Sequence, residues 1–223
     1  MNAVNSISDD ARSLSLRQDM VAKQICARGI RSERVLAAML AVPRHAFVPE
    51  ETLEAAYADK PLDIGERQTI SQPYMVAAMA EALELQPGEK VLDVGTGSGY
   101  SAAILLMLGA HVFTIEKQAS LAERARRTLA QIGCANISMR MGDGSAGWPE
   151  AAPFDAISVA AAAPCVPQPL VEQLADGGRL VIPIGDSNEQ ELVLVRKQKN
   201  EIISKNLTSC RFVPLTGQFG FAG

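Results

Sequence analysis

The strongest constraint on the fold is a short apolar segment that leads directly into three closely spaced glycines. KVLDV (90–94) is followed by Gly95, Gly97 and Gly99, and then by the apolar segment SAAILLMLG (101–109). This order predicts a strand, a tight turn and a helix. Glycines at such a turn allow the backbone to bend sharply and a ligand to lie against it at a helix N-terminus.

The segments that follow repeat this alternation of strand and helix. HVFTIE (111–116), NISMRMGD (136–143), FDAISVA (154–160) and RLVIPIG (179–185) read as strands, with helices predicted over 118–132 and 167–175 and a turn at 176–178. The alternation predicts βαβ units and a parallel sheet with helices on both faces, an α/β fold. ELVLVRK (191–197) and the stretch around CRFVPL (210–215) have only about ten residues between them, which is too few for a crossover helix, so we expect them to pair antiparallel.

The first third of the chain has a different texture. The first sixteen residues are polar and we expect them to be mobile; a helix is predicted from about Arg17 to a stop at Gly29, and a second helix from an N-cap at Ser32 to before Pro43. Residues 44–72 have little periodicity and predict a long irregular connection of the kind that often carries function. A further helix is predicted from Pro73 to about Leu83.

Composition and charge exclude several classes of function. The formal net charge is −4 and the basic residues are dispersed, which argues against a nucleic-acid-binding surface. No apolar run is long enough for a membrane span, and the N-terminus lacks the apolar region of a signal peptide. The four cysteines are scattered without a CxxC pair or a histidine cluster, so we expect reduced thiols, no metal site and a cytoplasmic location.

The spacing of the glycines favours one class of ligand over another. A dinucleotide-binding loop has the pattern GxGxxG, but here the third glycine comes one residue earlier and position 100 is Tyr100. Asp93 precedes the glycines, where its carboxylate would repel a pyrophosphate and attract a ligand with a cationic amino-acid end. The alternative is that the glycines serve only the packing of a βα turn.

Two further acidic residues follow the next two predicted strands. Glu116 lies at the end of the second strand, where a carboxylate can accept hydrogen bonds from both hydroxyls of an adenine nucleoside's ribose; the alternative is a solvated helix cap. Asp143 follows the third strand and could contact the adenine amino group, or could be a turn aspartate before Gly144. Since all these residues lie at the carboxyl ends of strands, they predict an S-adenosylmethionine site rather than an NAD site.

With these residues located, the chain resembles the protein-L-isoaspartate O-methyltransferase family from about Arg17 to Thr216. The matching segments are VPRHAFVP (42–49), AYADKPL (56–62), IGERQTISQP (64–73), VLDVGTGSGY (91–100), GDG (142–144), FDAI (154–157), AAAPCVPQPLVEQLADGGRLVIPIG (161–185) and RFVPL (211–215). The resemblance implies a Rossmann-like class I methyltransferase fold, with a seven-stranded, mostly parallel sheet and an antiparallel C-terminal hairpin. It also implies methylation of the free α-carboxylate of isoaspartyl residues in damaged proteins, with S-adenosylhomocysteine as product.

The resemblance divides the chain and assigns roles to its residues. Residues 1–72 would form an N-terminal helical extension with an active-site loop, and residues 73–223 the methyltransferase domain, as one structural unit that we expect to be a monomer. The cofactor contacts that it implies come from Gln68, Thr69, Ile70, Asp93, Gly95, Gly97, Gly99, Glu116, Lys117, Asp143, Gly144 and Thr216. Ser71 is implied to be the catalytic residue, whereas by itself it could equally be an N-cap for the helix that begins at Pro73.

The acceptor chemistry explains why a hydroxyl suits this position. An α-carboxyl group has an ordinary pKa of roughly 3.3–3.7, so near neutral pH it is already a nucleophile and needs no base. The enzyme has to desolvate it and direct one oxygen at the methyl group.

Two residues depart from the family pattern, and two alternative functions remain open. Arg67 replaces a glycine common in bacterial relatives, and Ser145 replaces an aromatic residue. Arg67 leaves room for a specialised enzyme that methylates an aspartate in a dedicated peptide, or a small acid. The second alternative is a non-catalytic protein that binds the cofactor and a partner. Asp59 could shape the acceptor pocket or cap a turn, and His45 is predicted to be a surface histidine.

Overall fold

The computed structural model describes residues 10–199 and 201–222, and seven strands of these residues form one sheet in the order β5-β4-β3-β6-β7-β8-β9. The strands of the sheet are β3 (Lys90–Val94), β4 (His111–Glu116), β5 (Ser138–Met141), β6 (Phe154–Val159), β7 (Leu174–Gly185), β8 (Gln190–Gln198) and β9 (Glu201–Cys210). A separate antiparallel hairpin pairs β1 (Leu62–Asp63) with β2 (Thr69–Ile70). The predicted α/β fold, with its seven-stranded sheet and antiparallel C-terminal strands, is confirmed.

Helices cover both faces of this sheet and build the N-terminal part of the chain. The α-helices are α1 (Ala11–Asp19), α2 (Glu33–Ala41), α3 (Pro73–Ala82), α4 (Tyr100–Met107), α5 (Ala119–Gln131) and α6 (Gln168–Glu172). A π-helical segment (Met20–Ile25) and a 3₁₀ turn (Cys26–Arg28) continue α1, and further 3₁₀ segments are Arg44–Phe47, Glu50–Ala55, Gly144–Ala146 and Pro149–Ala151.

The order of the strands places a ligand crevice beside β3. β3 pairs in parallel with β4 on one side and with β6 on the other. The strands before β6 are therefore added towards one edge of the sheet and the later strands towards the other edge, and the order reverses at β3. In open α/β sheets, ligands bind outside the carboxyl ends of the strands at such a switch point. The glycine turn between β3 and α4 lies at this position.

The N-terminal helix begins earlier than the sequence predicts. Residues 1–9 lie outside the described residues, but α1 already starts at Ala11, so the predicted start of the helix near Arg17 is wrong, whereas the mobility of the first sixteen residues stays a prediction. Asp10 caps the helix by accepting a hydrogen bond from the backbone N–H of Ser13 at 2.6 Å. This N-cap stabilises the start of a helix in a segment that lacks the apolar periodicity from which a helix is predicted.

Two C-terminal boundaries also differ from the prediction. β9 spans Glu201–Cys210 and follows β8 after a short turn, so RFVPL lies beyond the strand and contacts the sheet through an isolated parallel bridge between Ala162 and Pro214. The antiparallel pairing is confirmed, but the predicted position of the second strand is wrong. β7 starts at Leu174 and bulges before Arg179, which shortens α6 to five residues.

The N-terminal part shares its core with the rest of the molecule. Met20, Ile25 and Met39 belong to the same buried cluster as Leu83 on the α3 side and Ile104 of α4. The division at residues 72 and 73 stays a prediction. Within residues 10–199 and 201–222, no helix is both long and apolar enough to cross a membrane.

Candidate cofactor and acceptor cleft

A cleft of about 830 Å³ opens at the carboxyl edge of the sheet, beside the switch point. Its walls come from the glycine turn, the end of β4, the segment after β6, the hairpin β1–β2 and the C-terminal tail. Ten of the predicted site residues line it: Gln68, Thr69, Ile70, Ser71, Gly95, Gly97, Glu116, Lys117, Gly144 and Thr216. The fold therefore brings residues from positions 68 to 216 together around one cleft that is open to solvent.

The glycine turn is shaped by backbone conformation and by hydrogen bonds to β4. Gly95, Gly97 and Gly99 have φ values of 88°, 53° and 92°, in the left-handed region that favours glycine. The N–H groups of Gly95 and Thr96 both donate to the carbonyl of Ile115, at 2.9 and 3.1 Å. Gly99 faces α5 instead of the cleft, since a Cβ there would lie 3.2 Å from Leu129.

Glu116 is buried at the floor of the cleft with a fixed orientation. Its Oε2 accepts a hydrogen bond from the Gly97 N–H and its Oε1 accepts one from the Gln118 N–H, both at 2.8 Å. Its relative exposure of 6% rules out the solvated helix cap. Each carboxylate oxygen can accept a second hydrogen bond, so Glu116 is able to hold a diol while remaining anchored to the protein.

Asp93 lies beneath the glycine turn and does not line the cleft. Its Oδ2 accepts a hydrogen bond from the Thr114 hydroxyl at 2.9 Å, and that hydroxyl lies 2.6 Å from the hydroxyl of Thr96. Burial raises the pKa of Asp93 to about 7, against the opposing effect of the Thr114 and Ser101 hydroxyls. Ser101 itself lines the cleft, so the Asp93 carboxylate lies behind the wall of the cleft.

Asp143 holds the C-terminal tail in place. Its Oδ1 accepts hydrogen bonds from the N–H and the hydroxyl of Ser145, at 2.9 and 2.6 Å, and its Oδ2 accepts one from the Gln218 N–H at 2.7 Å. The carboxylate does not line the cleft, whereas the neighbouring Gly144 does. The geometry is thus that of a turn aspartate, and contact with an adenine stays a prediction.

Ser145 takes part in the same arrangement, and the close approach of the tail explains why a small residue occupies this position. Its hydroxyl also accepts a hydrogen bond from the Phe219 N–H at 3.0 Å. The backbone of Gly217 passes so close that a Cβ there would lie 2.5 Å from the Ser145 Oγ. A hydroxyl fits this position, and a larger side chain would require the tail to move.

Lys117 connects the end of β4 to the tail across the cleft. Its Nζ donates to the Thr216 hydroxyl at 3.0 Å. Both residues line the cleft, although they are 99 positions apart in the chain. This contact closes one side of the cavity.

Ser71 follows the hairpin and presents a side chain with no structural task. The N-cap of α3 is Gln72, and it makes no side-chain capping bond. The Ser71 carbonyl accepts a hydrogen bond from Arg44 Nη2 at 2.8 Å, and within the described residues no protein group bonds its hydroxyl. Ser71 is therefore not the helix cap that its position before Pro73 allowed.

Asp59 reinforces the segment next to Ser71. Its Oδ1 accepts a hydrogen bond from Gln72 Nε2 at 2.8 Å, and its Oδ2 lies 3.2 Å from Arg28 Nη1. Arg28 in turn stacks on the ring of Tyr74, 3.6 Å from the ring centroid. His45 is partly exposed, as expected of a surface histidine, and its Nδ1 lies 2.7 Å from the hydroxyl of Tyr57.

Arg67 lies at the tip of the hairpin, away from the cavity. It is exposed, it does not line the cleft, and its φ of 57° lies in the left-handed region. The backbone conformation explains why a glycine suits this position in relatives.

The sequence analysis did not predict two of the residues that line the cleft. Tyr100 and Ser101 follow the glycines on α4 and both line the cavity. Their proximity to the glycine turn could have indicated this position.

Comparisons with known proteins agree on one family. Residues 15–220 match the model of the family described as protein-L-isoaspartate(D-aspartate) O-methyltransferase. A protein-L-isoaspartate O-methyltransferase 1 from Syntrophobacter fumaroxidans is 54% identical over 207 residues, covering 93% of this chain and 97% of that protein. The protein-L-isoaspartate O-methyltransferase of Geobacter metallireducens is also 54% identical, over 92% of this chain and 95% of its own length.

Solved structures give the same result. A protein-L-isoaspartate O-methyltransferase structure superposes with a TM-score of 0.82 at 30% identity, covering 92% of this chain and 67% of that one. A protein from Plasmodium falciparum assigned to the same activity, in complex with S-adenosyl-L-homocysteine, gives a TM-score of 0.76 at 27% identity over 97% of this chain and 99% of its own.

Proposed function

Because the chain belongs to the protein-L-isoaspartate(D-aspartate) O-methyltransferase family, we propose that the cleft binds S-adenosylmethionine and an isoaspartyl carboxylate side by side, with Ser71 orienting the carboxylate. The enzyme transfers a methyl group from S-adenosylmethionine to the free α-carboxylate of isoaspartyl residues in damaged proteins. This methylation initiates repair through a succinimide. The observation that carries the assignment of residues is the unengaged hydroxyl of Ser71 in the same cleft as the anchored Glu116.

The cofactor proposal follows from the donors and acceptors of the cleft. Glu116 would accept hydrogen bonds from both ribose hydroxyls, and the backbone at Gly95 and Gly97 would lie against the amino-acid end. The charge of Asp93 would favour the ammonium group through the wall that Ser101 forms. Gly144 and the pair Lys117–Thr216 would bound the adenine side, with Asp143 holding that side together.

The hairpin segment completes the proposed site from above. Gln68, Thr69 and Ile70 line the cleft next to Ser71, so they would cover the bound cofactor and exclude water from the methyl group. Gly99 supports the site through its packing on α5, and a direct contact with the cofactor is not needed for that role.

The reaction needs orientation more than proton transfer. S-adenosylmethionine supplies an electrophilic methyl group, and the acceptor carboxylate is ionised near neutral pH. The Ser71 hydroxyl donates a hydrogen bond to one carboxylate oxygen and thereby holds the other in line with the methyl group. A direct lysine contact would instead stabilise the concentrated charge of the ground state and slow the reaction.

Two alternatives differ from this proposal in the acceptor or in the presence of catalysis. A dedicated aspartyl peptide or a small acid as acceptor was suggested by Arg67, but that side chain is exposed and does not line the cleft, which weakens this support. A non-catalytic cofactor-binding protein would not need a free hydroxyl at Ser71. We further propose that the enzyme is a cytoplasmic monomer; the unpaired state of its four cysteines supports the cytoplasmic location.

A paired peptide assay tests the acceptor. One peptide carries an isoaspartyl residue and its twin carries a normal aspartyl residue at the same position. We expect methylation of the first alone, because the β-linked backbone presents the α-carboxylate at a different place. Equal rates on the two peptides, or methylation of neither, would contradict the proposal.

A further inference from the structure

Arg44 is a large side chain that is completely buried behind the cleft. Its relative exposure is 0%, and it belongs to the 3₁₀ segment Arg44–Phe47 at the start of the long connection to the hairpin. A fully buried guanidinium is uncommon, because removing its charge from water is costly unless an anion compensates it.

Two hydrogen bonds of Arg44 reach backbone carbonyls. Its Nε donates to the carbonyl of Ala56 and its Nη2 to the carbonyl of Ser71, both at 2.8 Å. Its Nη1 finds no hydrogen-bond acceptor in the part of the chain that the structure describes. The guanidinium also lies 4.9 Å from the ring centroid of Tyr100. Arg44 thus fixes the backbone of Ser71 and keeps some hydrogen-bonding capacity unused.

Among the described residues, no carboxylate pairs with this cation. No salt bridge of residues 10–199 and 201–222 includes Arg44. Burial lowers the pKa of Arg44 to about 10, against the opposing effect of the Tyr100 phenol, so the side chain is still a cation near neutral pH. The fold therefore keeps an uncompensated positive charge at this place.

The position of the charge relates it to the acceptor. Ser71 and Tyr100, which both contact Arg44, also line the cleft. The charge lies immediately behind the wall at which the acceptor carboxylate would bind. The α-carboxylate is the anion that this cation lacks.

We propose that Arg44 is a positioning residue of the acceptor site: it fixes Ser71 through its carbonyl and uses its buried charge to select an ionised carboxylate. The inference rests on the proposed role of Ser71. If one layer of atoms, about 7 Å, separates the two charges, Coulomb's law at an effective dielectric constant of about 20 gives a preference for the anion of roughly 10- to 100-fold.

The chemistry predicts where the effect appears in the kinetics. The carboxylate loses its negative charge as it accepts the methyl group, so the cation stabilises the bound acceptor more than the transition state. Loss of the charge should therefore raise KM for the peptide without lowering kcat. Loss of the hydrogen bond to the Ser71 carbonyl should instead lower kcat, because Ser71 would shift, so the preference for the acid and kcat report the two roles separately.

The test compares two ligands within each variant, so that the fraction of folded protein cancels. Dissociation constants are measured at pH 6.5, with S-adenosylhomocysteine bound, for the isoaspartyl peptide and for its α-carboxamide twin. We expect the parent and Arg44→Lys, which keeps the charge, to prefer the acid, and Arg44→Gln to lose roughly 10- to 100-fold of that preference. Arg34→Gln is the control, because Arg34 also donates to two backbone carbonyls, those of Leu85 and Leu108, but it is exposed and neither of those residues lines the cleft.

Three outcomes would overturn the proposal. The first is that the parent binds the acid and the amide peptide equally. The second is that Arg44→Gln keeps the parental preference for the acid. The third is that Arg44→Lys loses this preference as fully as Arg44→Gln does. The first needs no variant, so the test does not depend on the folding of either. A parent that fails to methylate the isoaspartyl peptide would refute the proposed function itself, whereas an active parent with one of these outcomes refutes only the role of Arg44.

Discussion

At the scale of the residue, the substitution Ser71→Ala distinguishes a role in orienting the acceptor from a role as a helix cap. Ser71→Ala should lower kcat/KM for the isoaspartyl peptide roughly 10- to 100-fold, the effect of one hydrogen bond to a charged group. Cofactor affinity and melting temperature should stay near those of the parent, because the hydroxyl bonds no protein group in the described residues. Calorimetry, thermal unfolding and steady-state kinetics on the same preparation measure all three.

Ser32 offers a matched control for this prediction. Its hydroxyl accepts a hydrogen bond from the Val35 N–H at 3.4 Å and caps α2, remote from the cleft lining. Ser32→Ala should cost about 1 kcal/mol of stability and leave the rate unchanged. If Ser71→Ala instead resembled Ser32→Ala, destabilised but fully active, Ser71 would not be the orienting residue.

The residues that sequence reasoning could place are those whose neighbours along the chain determine their position. Glu116 ends a strand next to the glycine turn, and parallel strands bring such ends to one edge, so its place in the cleft was predictable. Arg44 was not, because its burial depends on Ala56, Ser71 and Tyr100, which only the fold brings together. Asp143 stayed ambiguous because a turn and an adenine contact require the same side chain.

At the scale of the element, the hairpin β1–β2 carries a turn of unusual conformation. Gly65, Glu66 and Arg67 are consecutive left-handed residues with φ values of 83°, 53° and 57°. Arg67→Gly should stabilise the protein by about 0.5–1 kcal/mol, because a non-glycine residue is strained there. The acceptor preference should match that of the parent, since Arg67 is exposed and lies outside the cleft lining.

Thermal unfolding and the paired peptide assay check the prediction for the hairpin together. Arg126→Gly provides the opposite sign: Arg126 is an exposed residue in the interior of α5, where glycine should cost about 1 kcal/mol. A changed preference among peptides in Arg67→Gly would mean that Arg67 contacts the bound acceptor, and would restore the argument for a specialised substrate.

The sequence predicts best those elements that the fold buries, because burial requires a run or a pattern of apolar residues. β3, β4 and β6 are buried along nearly their whole length and match the predicted segments closely. β9 is mostly exposed at the edge of the sheet, so EIISKNLTSC lacks the periodicity that marks a strand. The apolar residues of RFVPL indicated a strand ten residues too late, because they pack as an extended tail beside Ala162.

At the scale of the whole molecule, we expect the buried Asp93 carboxylate to lower the stability of the fold and to strengthen the binding of the cofactor. Burial raises the pKa of this carboxyl from 3.8 to about 7, so the folded protein holds the proton more tightly than the unfolded chain does. The contribution of Asp93 to the free energy of unfolding should therefore fall as the pH rises from about 4 towards 7. Asp93→Asn removes this dependence, and its gain in melting temperature over the parent should be larger at pH 8 than at pH 5.

The same substitution should weaken the cofactor site, because the amide cannot supply the charge that faces the ligand's ammonium group. At a concentration of S-adenosylhomocysteine 100 times the parental Kd, binding should stabilise the parent by about 2.7 kcal/mol, or roughly 5–10 °C for a chain of this size. A tenfold loss of affinity would reduce that gain to about 1.4 kcal/mol. Thermal unfolding at pH 5 and pH 8, with and without ligand, therefore separates the two effects. Equal ligand-induced shifts in parent and variant would show that Asp93 serves only the glycine turn, and a difference in melting temperature independent of pH would show that its ionisation is not what burial penalises.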